Sequence, residues 1–204
     1  MDKLPFETSG LKDNEIELLQ DTYNLLESMY PIRYDKDYTY NLKDLEILSD
    51  YKRADIFAPF NLGSDNSAYI TFTESEYTFR GSAKGGDMEA IEYQTWAIAP
   101  LTKNYGHIII RPETFIDKIQ NFFQHQKVDF SNDQAFNRRF FVLAKDKEMA
   151  LLDLSNSFRE LLLNFELKDF IIEILNNRLI IGNKMEMEPK QACYFAEFVR
   201  NVKL

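Results

Sequence analysis

The sequence predicts an α+β fold: antiparallel sheet packed against about four helices, closing in a C-terminal strand–helix–hairpin–helix unit. Three observations predict it. Alternating apolar and polar residues dominate 54–111, apolar stripes of helical spacing flank that block, and a tight hairpin separates the last two helical stretches. Strands therefore gather in antiparallel groups and do not alternate one-for-one with helices, as a parallel α/β fold requires.

The elements follow in order. Residues 13–30 predict the first helix, with Asp13 as N-cap and Ile16, Leu19, Tyr23, Leu26 and Tyr30 on one face; Pro31 ends it. Tyr34, Tyr38 and Tyr40 lie among charges and define no element. Ala68–Thr73 and Tyr77–Arg80 read as strands with a break at Glu74-Ser75-Glu76. Residues 81–86 form a connecting loop. Ile91–Ala99 reads as a strand with a bulge between Tyr93 and Trp96, and His107–Ile110 as a buried strand. Pro112 suits a first helical position, with Phe115, Ile119 and Phe122 as the stripe of a helix to about 123.

A short strand is expected at Val128–Phe130 and a longer one at Arg138–Ala144. Asp146 caps an expected helix over 147–165, striped by Leu151, Leu154, Phe158, Leu161, Leu162 and Phe165. Asn176-Asn177 tolerates the positive φ of a two-residue hairpin turn. That turn pairs Leu175 with Arg178, Ile174 with Leu179, Glu173 with Ile180 and Ile172 with Ile181. One face is then wholly apolar, and the other, carrying Glu173 and Arg178, is expected to be half covered. A last helix begins near Pro189 and turns Ala192, Phe195, Ala196 and Val199 inward. The chain reads as one domain or as two lobes, residues 1–125 and 126–204.

Composition bounds the function. With 45% hydrophobic and 14% aromatic residues, the 204-residue chain can build a core. The net charge of −9 is concentrated in residues 1–50, which carry 5 basic and 12 acidic side chains. No region has the basic excess that phosphate backbones or anionic membranes require, so no nucleic-acid partner is expected. Cys193 is the single cysteine, which excludes internal disulfides and multi-cysteine metal sites. No signal peptide or membrane-spanning run is visible, and a soluble, cytoplasmic protein is the expectation.

Candidate chemistry is sparse. His107 and His125, the only histidines, show no short-range zinc spacing. Gly81, Lys84, Gly85 and Gly86 superficially resemble a phosphate loop, but the lysine precedes the glycines and a strand follows. Glu74, Glu76, Asp87, Glu89 and Glu92 could converge as paired carboxylates, though solvation is the ordinary state of such residues. Arg138 and Arg139, as neighbours on a strand, face opposite sides; ion pairing is expected of them, as of Glu173. Asp146 is explained by capping, and Cys193 by packing within a helix. No catalytic residue, metal or cofactor is expected.

Residues 128–162 resemble the C-terminal signature of an uncharacterised bacterial family, a domain of unknown function. The signature runs Val128, Phe130-Ser131, Phe136, Phe140, Val142, Asp146, Ala150 and Leu161-Leu162. Gly106–Pro112 resembles the strand-then-proline element that the family places upstream, so the resemblance spans about residues 106–181. It implies no activity and no site residues. Its members often carry N-terminal membrane helices, and no such segment occurs here.

The preferred reading is a non-enzymatic protein-interaction module with an unknown protein partner. The alternative is a small apolar-ligand binder with a cavity under the sheet, lined by Phe57, Phe60, Tyr69, Phe72, Phe79, Tyr93 and Trp96. A hydrolase built on the 74–92 carboxylates comes third.

Overall fold

The computed structural model describes residues 4–63, 68–80, 86–113 and 125–202. Among these residues the centre is an antiparallel nine-stranded sheet ordered β1-β2-β3-β4-β9-β8-β5-β7-β6. The strands are β1 (Arg33–Tyr34), β2 (Arg53–Asn61), β3 (Tyr69–Arg80), β4 (Asp87–Pro100), β5 (His107–Pro112), β6 (Gln126–Lys127), β7 (Phe140–Ala144), β8 (Ile171–Leu175) and β9 (Arg178–Gly182). Five helices accompany them among the described residues: α1 (Asp13–Met29), α2 (Gln134–Arg139), α3 (Lys147–Asp153), α4 (Asn156–Leu163) and α5 (Pro189–Asn201). The fold is α+β.

The two faces of the sheet are covered by different material, as strand alternation allows. One face supplies Phe60, Ile70, Phe72, Ala97, Ile108, Ile110, Val142, Ile172 and Ile181 to the larger core, which the helices close with Leu19, Leu26, Phe158, Leu162, Phe195 and Phe198. The other face presents Trp96, Ile98, Ile109, Ile171 and Ile180 to a strap of two 3-10 turns, Leu42–Asp44 and Glu46–Leu48, which buries Leu42, Leu45, Ile47 and Leu48. Both faces of the hairpin are consequently buried, not one and a half: Glu173 is fully buried. Double coverage also explains the apolar phase in β4. The β3–β4 register runs unbroken from Tyr69↔Ile98 to Arg80↔Asp87, so no bulge divides Tyr93 from Trp96. The bulge lies in β2, between Ile56 and Ala58.

Several local expectations are corrected. Glu74-Ser75-Glu76 interrupts nothing, because these residues continue the β3–β4 ladder. Lys12, not Asp13, precedes α1; the Glu15 carboxylate accepts its backbone N–H at 2.8 Å. Pro112 ends β5 opposite Phe140, and the helix expected beyond it falls on residues 114–124, outside the described set. The short strand sits at Gln126–Lys127, two residues ahead of Val128. Arg138 and Arg139 end α2, because the Asp133 carboxylate caps the preceding turn through Phe136 N–H at 3.1 Å. The strand begins only at Phe140.

The expected 147–165 helix is two helices. Asp146 does cap the first, accepting from Met149 N–H at 2.9 Å. The chain then breaks at Leu154, and Ser155 starts α4 by accepting from Phe158 N–H at 3.3 Å. The break keeps Leu154, Phe158 and Leu162 buried while leaving Leu151 37% and Leu152 83% exposed. The hairpin, by contrast, follows the turn chemistry throughout. Asn176 has φ +57°, and the register is Leu175↔Arg178 through Ile171↔Gly182.

Candidate functional site

Glu173 is the organising residue of the strap-covered face. It lies on β8 within the run Phe170–Leu175, opposite Ile109 of β5 and Ile180 of β9. A carboxylate in such a place must be hydrogen-bonded to be tolerated. Its Oε1 accepts the Glu46 N–H at 3.1 Å and its Oε2 the Ile47 N–H at 3.0 Å, which ties the second 3-10 turn to the sheet. Its third partner is His107, the first residue of β5, whose Nε2 stands 2.6 Å from Oε1. Since both carboxylate oxygens already accept backbone N–H groups, the imidazole donates from Nε2. In a neutral ring this leaves Nδ1, on the side of Glu46, as the acceptor.

Around that nitrogen the strap and β6 bring two further groups. Glu46 Oε1 lies 3.6 Å from His107 Nδ1, and Glu46 Oε2 lies 3.7 Å from Nδ1 of His125, the residue before β6. The imidazole rings meet edge to face, with centroids 4.7 Å apart. One ligand atom from each of Glu46, His107 and His125 falls within 4.8 Å of the others. Both histidine side chains are buried, at 5% and 1% exposure, while Glu46 reaches the rim. Lys145 closes the rim with Nζ 3.5 Å from Glu46 Oε1. Burial pushes the His125 pKa down, against the attraction of Glu46, and favours neutral imidazole.

Sequence spacing relates none of these residues: Glu46 and Glu173 are 127 positions apart. His125 follows directly on residues 114–124, which lie outside the described set. The signal that was available is Glu173 itself, one charge in a central-strand run that is otherwise apolar.

Glu74, Glu76, Asp87 and Glu89 share one face of the β3–β4 ladder, and Glu92 lies on the opposite face. Lys52 bridges Glu76 at 2.9 Å and Glu89 at 2.5 Å, Arg53 pairs with Glu74, and Tyr77 donates to Glu92 at 2.9 Å. Glu74, Glu76 and Glu89 are thus matched by cations on the same surface. Residues 81–85 of the glycine loop lie outside the described set. Arg139 donates to the carbonyls of Leu163 and Phe165, so it ties α2 to the end of α4 and is not a solvated ion pair. Cys193 is buried in α5, and burial pushes its thiol pKa up.

The aromatic set is divided between the two faces. Phe57, Phe60, Phe72 and Tyr93 interlock with one another and with Phe6 at centroid distances of 5.1–6.3 Å. Tyr69 stacks on Tyr38 at 3.8 Å on the strap side, and Phe79 is 41% exposed. Clefts of about 640 and 800 Å³ exist, but they lie beside Pro31, Val199 and Arg200 and beside Asp133, Leu152 and Arg159, away from this set.

No protein-family model and no curated protein matches the chain. Among solved structures it is similar to the mycobacterial trehalose monomycolate transport factor A, with 10% identity over 90% of each chain and a TM-score of 0.49. A likeness that distant carries no functional argument. No described helix is long and apolar enough to cross a membrane.

Proposed function

We propose that the protein is a non-enzymatic interaction module that engages an extended, basic and apolar segment of a partner along β4. The observation that carries this reading is the projection of the β3–β4 ribbon beyond its neighbours. The β2 ladder stops at Arg53↔Glu76, and β9 reaches β4 only from Trp96 onward. Among the described residues, Asp87–Glu92 therefore has no strand on its β9 side. Unpaired backbone donors and acceptors along a strand edge are a template for strand addition.

The side chains there suit one kind of partner. Met88 and Ile91 are 53% and 50% exposed, and Phe79, directly opposite Met88, is 41% exposed. Asp87 lies on the Ile91 face and Glu92 on the Met88 face, while Glu89 is already bridged by Lys52, so an incoming strand with apolar and cationic residues gains contacts on both counts.

Fluorescence anisotropy with a short labelled peptide of alternating Lys and Val tests the reading, with a Glu–Val peptide as control. Micromolar binding of the basic peptide alone is expected, weakened at least about tenfold by Met88→Asp with Ile91→Asp. Absence of binding, or equal binding by the double variant, overturns it.

A further inference from the structure

The histidine–carboxylate cluster beneath the strap goes beyond that reading, because it is remote from the β4 edge and has a chemistry of its own. Three features bear on it. First, Glu46, His107 and His125 converge from the strap, from β5 and from the segment entering β6, with all three ligand atoms within 4.8 Å. Two ligands bound at zinc distances in a tetrahedral site stand about 3.4 Å apart. Each Glu46 oxygen faces one imidazole: Oε1 stands 3.6 Å from His107 Nδ1 and Oε2 stands 3.7 Å from His125 Nδ1, each within a few tenths of an ångström of that spacing. Second, His107 Nδ1 is buried and has no hydrogen-bond partner among the described residues. Third, the opposite nitrogen of the same ring is held by the buried Glu173 carboxylate at 2.6 Å, the arrangement that fixes a metal-binding histidine in one tautomer.

We propose that Glu46, His107 and His125 bind one divalent transition-metal ion of the zinc class, with the fourth position left to water. His107 binds through Nδ1, His125 through a ring nitrogen, and Glu46 through its carboxylate, whose two oxygens each face one imidazole. Glu173 is a positioning residue: it touches the ring of His107 and not the ion. Among the described residues three charged groups face the site: Glu46, Glu173 and Lys145. Lys145 is half exposed and contacts Glu46 Oε1, so it must swing toward solvent when the cation enters. Because Glu46 belongs to the strap while His107 belongs to the sheet, the ion clamps the 42–48 segment onto β5.

The test is titration of the full, chelator-treated chain with zinc chloride by calorimetry, and with cobalt(II) by visible absorption. One equivalent should bind, with the intense visible bands of tetrahedral cobalt. Glu46→Gln and His125→Gln should each weaken zinc at least tenfold, and Glu173→Gln by about 10–100-fold through His107. Lys145→Met should tighten binding severalfold, since it removes the competing cation without touching a ligand. Circular dichroism identifies any variant that has not folded, and the wild-type cobalt spectrum together with Lys145→Met decides the matter regardless of such a loss. No binding by the wild type, octahedral cobalt bands, or affinities unchanged across the variants overturns the proposal.

Discussion

The Glu173 carboxylate is hydrogen-bonded to His107 across neighbouring strands at 2.6 Å, from a position with no solvent exposure. The same carboxylate holds two backbone N–H groups of the strap. Removing it leaves three donors unanswered, two of them buried, so Glu173→Ala should cost about 3–5 kcal/mol, the range for breaking a buried charged network. Urea melts of Glu173→Ala and of the exposed Arg138→Ala check this; the arginine variant should change stability by less than about 0.5 kcal/mol.

Gly182 is constrained by Trp96. The two residues pair across β9 and β4, and a Cβ at Gly182 would stand 2.5 Å from Trp96 Cε3 and 2.7 Å from the Thr95 carbonyl oxygen. Gly182→Ala should therefore destabilise by about 1–3 kcal/mol, the usual cost of overpacking. Combining it with Trp96→Leu should recover part of that loss in a double-mutant cycle, because the smaller side chain vacates the collision.

Asp133 gives a pH dependence with a definite sign. The Arg159 guanidinium, 2.8 Å away, is the chief cause holding its carboxyl below the usual 3.8; the Phe136 N–H helps, and burial opposes. A carboxyl whose folded pKa is depressed adds stability above its unfolded pKa and loses it as pH falls through the folded value. Stability should thus drop as the pH is lowered through and below about 4. Asp133→Asn, which keeps a capping oxygen but no charge, should flatten part of that drop in denaturant midpoints measured from about pH 5 to 2.

Leu162 and Ile172 both lie fully buried in the helix-side core. Leu162→Ala and Ile172→Ala should each cost about 2–5 kcal/mol, measured by the same melts.

How much of this could be read from the sequence depends on the range of the forces involved. The hairpin register was legible because Asn176-Asn177 fixes it locally, and Asp146 was legible because capping reaches only to Met149. The α2 helix is hidden because its six residues are too few to show an apolar stripe, and its last two, Arg138 and Arg139, run straight into the apolar strand that follows. The split of 147–165 turns on Ser155, whose capping competes with continuing the helix; the periodic stripe is blind to that competition. The candidate site was illegible for a stronger reason. It needs the strap to lie over β5 and β8, and nothing near His107 or His125 in the chain reports which segment covers that face. Glu173 alone announced that a polar partner must be there.

The hydrogen bond to Glu173 sets the tautomer of the His107 ring, and nitrogen-edited NMR of the imidazole reads that tautomer directly. Two-bond correlations in metal-free protein at about pH 8, where an ordinary histidine is neutral, should show the proton on Nε2, facing Glu173, and a bare Nδ1. Glu173→Gln should weaken that preference. A wild-type ring protonated on Nδ1 would contradict the hydrogen-bond assignment, and with it both the strap anchor and the metal site built upon it.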